Sequence, residues 1–237
     1  MAKFLLIHGA CHGAWCWRDV LPLLNRGDNS ATAIDLPGLG NDQTPPEEAT
    51  LDACAKAIVN AIDEPVILVG HSLGGLSISA AAELAPEKIR RLVYVAAWAP
   101  LDGESGRSLR ERTNAQSLQD ATRLAEDKLT FSFGDDYLET VFYQDCPHEA
   151  VAYARAHIRP QPTAPAVVPL HLSARHDSVP RSYIRCLEDR AIPPAYQIEA
   201  TRDWPSETVH DMHTDHSPFF SQPARLAEIL IEIAETS

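Results

Sequence analysis

A doubly wound α/β fold, with a mostly parallel sheet and an inserted, mainly helical lid, is predicted by three features of the sequence. Short apolar runs rich in β-branched residues alternate with helix-spaced stretches from Lys3 to Ala97, the pattern of a parallel sheet covered on both faces. One such run, Val66 to Val69, passes directly into Gly70-His71-Ser72-Leu73-Gly74-Gly75 and a small-residue stretch, which reads as strand, sharp turn and helix. The alternation then stops after Ala99-Pro100-Leu101-Asp102-Gly103, and no clear buried strand returns until Ser182.

The elements follow in order. Lys3 to Ile7 is an unbroken apolar strand running into His8-Gly9-Ala10, and apolar residues at 17, 20, 21 and 24 predict a helix from Trp17 to Leu24. Ala31 to Leu36 is a strand closed by the turn cluster Pro37-Gly38-Leu39-Gly40. Thr50 stands where a helix cap belongs, ahead of Leu51, Cys54, Ile58 and Ile62 at helical spacing. After the turn at Ser72, the small residues to Ala82 suit a helix packed closely on the sheet, and Arg90 to Ala97 supplies another buried strand. Residues 104–178 form the lid, with helical stretches from Thr113 to Lys128 and from His148 to His157; residues 1–103 and 179–237 form the core. Strand character returns at Ser182 to Leu187 and, more weakly, at Ala195 to Glu199, and Pro223 to Ile233 closes the chain as a helix.

Composition bounds the function. A chain of 237 residues, 45% apolar and 22% charged, fills one core. Its net charge of -13, with no basic run beyond Arg90-Arg91, argues against nucleic acid or an anionic membrane as partner. The N-terminal apolar run is too short for a signal peptide, and no stretch reaches membrane-spanning length, so a cytoplasmic protein is expected. Five scattered cysteines without a C-x-x-C suit reduced thiols.

Gly70-His71-Ser72-Leu73-Gly74 has the G-x-S-x-G form, in which a serine occupies a strained turn above the sheet at the positive end of a helix. A serine hydroxyl is a weak nucleophile until a base takes its proton, and that base needs a carboxylate to fix its tautomer. Of ten histidines, His216 is singled out by the turn-like Asp215-His216-Ser217-Pro218 that precedes the last helix. Asp189 follows the strand 182–187 and reaches its carboxyl end, whereas Asp177 precedes that strand and belongs to the opposite end. The backbone N–H groups of Leu73 and Ala10 are the candidate oxyanion donors. On a structural reading, Ser72 is instead a helix cap, His216 a surface histidine and Asp189 a solvated loop carboxylate. His210, His213 and His216 drift around a helix rather than converge, and no cysteine joins them, so neither a metal nor a cofactor is expected.

His8-Gly9-Ala10-Cys11-His12-Gly13-Ala14-Trp15, Gly70-His71-Ser72-Leu73-Gly74-Gly75, Leu187-Glu188-Asp189-Arg190-Ala191-Ile192-Pro193 and Asp215-His216-Ser217-Pro218 resemble the plant methylesterases of the α/β-hydrolase superfamily, a group that also holds hydroxynitrile lyases and bacterial esterases. The resemblance spans nearly the whole chain and is weakest from about residue 104 to 140. It implies an α/β-hydrolase fold with Ser72 as nucleophile, His216 as base, Asp189 as its partner, and the amides of Ala10 and Leu73 as the oxyanion hole. The lyase branch carries threonine and lysine where this chain has Gly9 and Ser217, which favours hydrolysis. The expected activity is a serine esterase acting on small methyl, alkyl or aryl esters through an acyl-enzyme. Carbon–carbon cleavage of a lyase type and a non-catalytic receptor are the alternatives. His8, Trp98, Phe131, Phe133, Phe142 and Phe219 are the candidate pocket residues. The expected partner is a small-molecule ester, and a homodimer is left open.

Overall fold

The computed structural model describes residues 1–236. Six parallel strands form the main sheet: β1 (Lys3–Ile7), β2 (Ser30–Ile34), β3 (Val66–His71), β4 (Ile89–Val95), β8 (Arg181–Cys186) and β9 (Val209–Met212), in the order β2-β1-β3-β4-β8-β9. The chain starts at β1, steps outward to β2, and returns to the other side of β1 as β3, where Ile7 pairs with Gly70. That reversal opens a crevice at the carboxyl ends of β1 and β3, where ligands bind in open α/β sheets. It also sets the loop His8-Gly9-Ala10 beside Ser72.

The continuous apolar character of the strands has a direct cause. Phe4, Leu6, Ile67, Val69, Val93 and Val95 belong to one buried cluster with Trp17, Leu226 and Ile229. Their neighbours Leu5, Ile7, Leu68, Leu92 and Tyr94 belong to a second with Ile58, Ile78 and Ala81. Successive side chains point to opposite faces, and helices cover both. On one face the helix Pro223–Glu235 buries Leu226, Ile229, Leu230 and Ile233, one stripe at helical spacing. On the other, the helix Leu51–Asn60 starts at Thr50, whose hydroxyl accepts the Ala53 amide at 3.1 Å.

The glycines of the turn at Ser72 answer to close approach. An added Cβ at Gly75 would stand 2.0 Å from the Trp98 carbonyl oxygen, and one at Gly74 would stand 2.6 Å from that of His8. The helix Gly74–Leu84 therefore begins in contact with the backbones that follow β1 and β4.

Between β4 and β8 the chain carries helices Gly106–Arg112, Gln116–Ala121 and His148–His157. It also carries a small antiparallel sheet, β5 (Thr122–Leu124), β6 (Thr130–Phe133) and β7 (Gln161–Pro162), in that order. The helix expected from Thr113 to Lys128 thus gives way after Ala121 to a hairpin that turns near Lys128, at φ 61°. The region Trp17 to Leu24 is shorter than expected, a 3-10 turn Ala14–Trp17 followed by the helix Leu21–Leu24. The weak strand expected at Ala195 to Glu199 is the helix Pro194–Ala200, and the last strand is β9. Among the described residues no helix is long and apolar enough to cross a membrane.

Candidate active site

Ser72 holds φ at 53°, in the left-handed region. Such a conformation costs a non-glycine residue about 1–3 kcal/mol and persists where the surroundings impose it. Here the Ser72 amide donates to the Val95 carbonyl at 3.3 Å, and its carbonyl accepts from Gly75 and Trp98, each at 3.1 Å. The turn is fastened between β4 and its own helix, and the side chain stands at a cavity wall together with Ala10 and Leu73. Among the described residues no acceptor takes the amide of Ala10 or of Leu73. Leu73 is the cap residue of the helix Gly74–Leu84, and N–H groups at that end lack intrahelical partners.

The Ala10 loop is braced from several sides. Cys11, at φ 64°, donates its amide to the Gln161 side chain at 3.1 Å and accepts the Arg159 amide at 3.0 Å. His12 donates from Nδ1 to the Ala10 carbonyl at 2.7 Å and accepts the Tyr143 hydroxyl at Nε2 at 2.6 Å. His8 donates from Nδ1 to the Gly9 carbonyl at 2.9 Å and accepts the Leu36 amide at 3.1 Å.

His216 and Asp189 meet as the sequence suggested: Nδ1 of His216 lies 2.8 Å from Oδ2 of Asp189, with both side chains nearly buried. Asp189 also accepts Ala191 and Ile192 amides on Oδ1, at 2.8 and 2.9 Å, and Gln197 Nε2 on Oδ2 at 3.0 Å. A carboxylate with this set of donors is held as an acceptor, so Nδ1 of His216 carries the proton and Nε2 is left as the basic nitrogen. Asp177, the other carboxylate considered, lies ahead of β8 against His176 and Arg181. The Ser72 hydroxyl makes no hydrogen bond among the described residues, to His216 or to any other group. Its chain neighbour His71 does reach His216: Nε2 of His71 donates to the His216 carbonyl at 2.7 Å, with the rings 4.6 Å apart. Catalytic contacts between nucleophile and base commonly tighten only when substrate is bound.

Gln197 was not singled out from sequence. It is fully buried, accepts the Cys186 amide at 2.9 Å, and donates to Ile192 carbonyl at 2.8 Å and to Asp189. The signal for it was Pro193-Pro194, since proline favours a first helical position and would have placed Gln197 on a helix facing β8.

The cavity measures about 160 Å³, and Trp98, Phe131 and Phe133 stand on its wall as expected from sequence. Three expected pocket residues do not. His8 is buried below the loop with both ring nitrogens bonded. Phe142 lies behind Phe133, at 4.4 Å between rings, and Phe219 packs against His71 and Trp17 in the core. The His210, His213, His216 string runs from β9 into the following loop, with His213 exposed. Among the described residues no group of three His, Cys, Asp or Glu side chains is placed to hold a metal ion.

Burial holds the imidazoles of His8 and His71 below their ordinary value of 6.5, and that of His12 at about 3. In the unfolded chain these rings take up protons as the pH falls below about 6.5. A depressed folded value therefore gives stability that is fully present above pH 6.5 and is lost as the pH falls toward the folded values. The expected result is a free energy of unfolding that drops below pH 6.5 with about 1.4 kcal/mol per pH unit for each ring still neutral in the fold. Urea unfolding between pH 5 and 8 measures it, and a flat profile would contradict the buried, neutral assignment.

The chain matches the model of the alpha/beta hydrolase family over residues 4–229. It is 34% identical to methylesterase 7 of Arabidopsis thaliana over 250 residues, covering 98% of this chain and 96% of the relative. It is 35% identical to salicylic acid-binding protein 2 of Nicotiana tabacum, covering 98% and 96%. Among solved structures, polyneuridine aldehyde esterase superposes with a TM-score of 0.86 at 28% identity, covering 99% of each chain. A pyrethroid hydrolase from Sphingobium faniae JZ-2 superposes with a TM-score of 0.89 at 27% identity, covering 99% of this chain and 97% of that one. The chain belongs to the alpha/beta hydrolase family. Within that family its relatives mark it as a methylesterase-like carboxylic-ester hydrolase.

Proposed function

We propose that this chain hydrolyses small carboxylic esters, methyl esters foremost, through Ser72, His216 and Asp189. The observation that carries the reading is the 2.8 Å contact between Nδ1 of His216 and the Asp189 carboxylate, which assigns the proton to Nδ1. With Nδ1–H given to a fully bonded Asp189, Nε2 is free to take the proton of Ser72. Ser72 attacks the ester carbonyl, and the amides of Ala10 and Leu73 receive the developing oxyanion. His216 then returns the proton to the leaving alcohol, and a water molecule activated by the same nitrogen cleaves the acyl-enzyme. The relatives named methylesterases favour a small alcohol.

Gly9 speaks for hydrolysis over lyase chemistry. A Cβ there would lie 2.8 Å from both Nδ1 of His71 and Cβ of Ser72, so a threonine is not accommodated beside this nucleophile. The five cysteines are all unbridged, which supports a reducing, cytoplasmic setting. The test is rapid mixing with p-nitrophenyl acetate beside methanol release from methyl esters. A burst of p-nitrophenol equal to the enzyme, followed by slower turnover, is expected. Ester turnover without any acylated Ser72 in the quenched protein would overturn the covalent route.

A further inference from the structure

Apart from the nucleophile and its oxyanion loop, the polar residues on the wall of the cavity beside Ser72 are Thr122, Thr163 and two arginines. The helix Gly106–Arg112 lays Arg107 and Arg110 on its wall, three residues apart and so on one face. No Asp or Glu lines that cavity. Arg107 is exposed and Arg110 half-buried with its Nε atom buried and unbonded, and among the described residues neither guanidinium has a hydrogen-bond or ion-pair partner. The chain carries 33 acidic and 20 basic residues. Arg112, on the same helix, bonds Glu104 and Glu199, each at 3.1 Å, and Arg155 and Arg185 likewise have carboxylate partners.

The helix is held in place against the site. Ser105 and Ser108 cap it reciprocally, and Gly106 lies so near the nucleophile turn that an added Cβ would stand 3.0 Å from the Leu73 side chain. Trp98, Phe131, Phe133 and Leu118 give the same wall much of its apolar surface.

We propose that the substrate is an ester whose acyl part carries a second, anionic group on an apolar chain, as in the half-ester of a dicarboxylic acid, and that Arg107 and Arg110 receive that group. The inference rests on the esterase reading above. The anion is assigned to the acyl side because a small alcohol such as methanol has no room to carry a charge. Guanidinium groups bind carboxylates through paired N–H donors, and two arginines without a carboxylate partner on a largely apolar cavity wall are matched by a ligand of that form.

Monomethyl adipate and methyl hexanoate differ at one end only, and methanol release gives kcat/KM for each. The wild-type protein is expected to favour the adipate half-ester by about tenfold, and the Arg107→Gln/Arg110→Gln protein to lose about that factor in the ratio. The preference is also expected to shrink as salt rises from low to about 0.5 M, which needs no variant. A ratio unchanged by both the double substitution and salt overturns the proposal. Calorimetric titration of adipate into Ser72→Ala protein separates the two readings. Arginine-dependent adipate binding with no ester turned over by wild type would sink the esterase alone. Turnover of methyl hexanoate with no adipate bound would sink the anion site alone.

Discussion

Alanine in place of Ser72 is expected to lower ester turnover by about six orders of magnitude, to the level left by the oxyanion donors and binding. The fold should be untouched, because the bonds that fix this turn come from the Ser72 backbone, to Val95, Gly75 and Trp98, and survive the substitution. The lost hydroxyl has no partner among the described residues, so its removal strands no buried group. Equal urea midpoints for the two proteins, together with the lost turnover of p-nitrophenyl acetate, would isolate the effect to chemistry. Turnover within a factor of about ten of wild type would place the nucleophile elsewhere.

Asparagine in place of Asp189 is expected to cost about four orders of magnitude in kcat through the tautomer of His216. Every acceptor site of the carboxylate is in use: Oδ1 takes the amides of Ala191 and Ile192, and Oδ2 takes Gln197 and His216. Whichever way an asparagine amide is turned, its NH₂ faces two donors. The relief open to His216 is to move its proton to Nε2 and accept at Nδ1, which leaves no lone pair for Ser72. Asp215 is not poised to substitute, since its carboxylate accepts from the amides of Asp145 and Ser217 and from the Cys146 thiol. A loss of less than tenfold in the Asp189→Asn protein would show that another group sets the tautomer.

The parts legible in the sequence were those whose local chemistry is self-contained. The strand into Gly70, the turn at Ser72 and the small helix after it all lie within one short stretch, and the apolar strands reveal a sheet buried on both faces. Asp189 could be preferred to Asp177 from strand polarity alone, because one follows β8 and the other precedes it. What was missed depends on tertiary contact. β9 has only Val209 and Met212 as apolar residues and is an edge strand paired with β8, so its pattern is weak. Ala195 to Glu199 alternates like a strand, yet proline at the helix start and Gln197 facing Asp189 make it a helix. The hairpin of β5 and β6 is half-exposed, and Thr130-Phe131-Ser132-Phe133 reads as a strand only once its partner is known. His8, Phe142 and Phe219 are near the site in sequence or in space, but buried hydrogen bonds and ring packing turn them into its support.

The segment between β4 and β8 is tied into both halves of the proposed site. Gln161 and Arg159 hold Cys11 beside Ala10, Tyr143 holds His12, and Asp145 and Cys146 hold Asp215 next to His216. Such an insertion is not an exchangeable module. A chimera that took this segment whole from a relative would inherit a new pocket and a misaligned oxyanion loop together, so its rate would fall on every ester, including those the new pocket fits. Inherited divergence in substrate preference is then expected to proceed by replacement of cavity-facing residues such as Arg107, Leu118 and Phe131, while Tyr143, Gln161 and Asp215 change only in concert with the core.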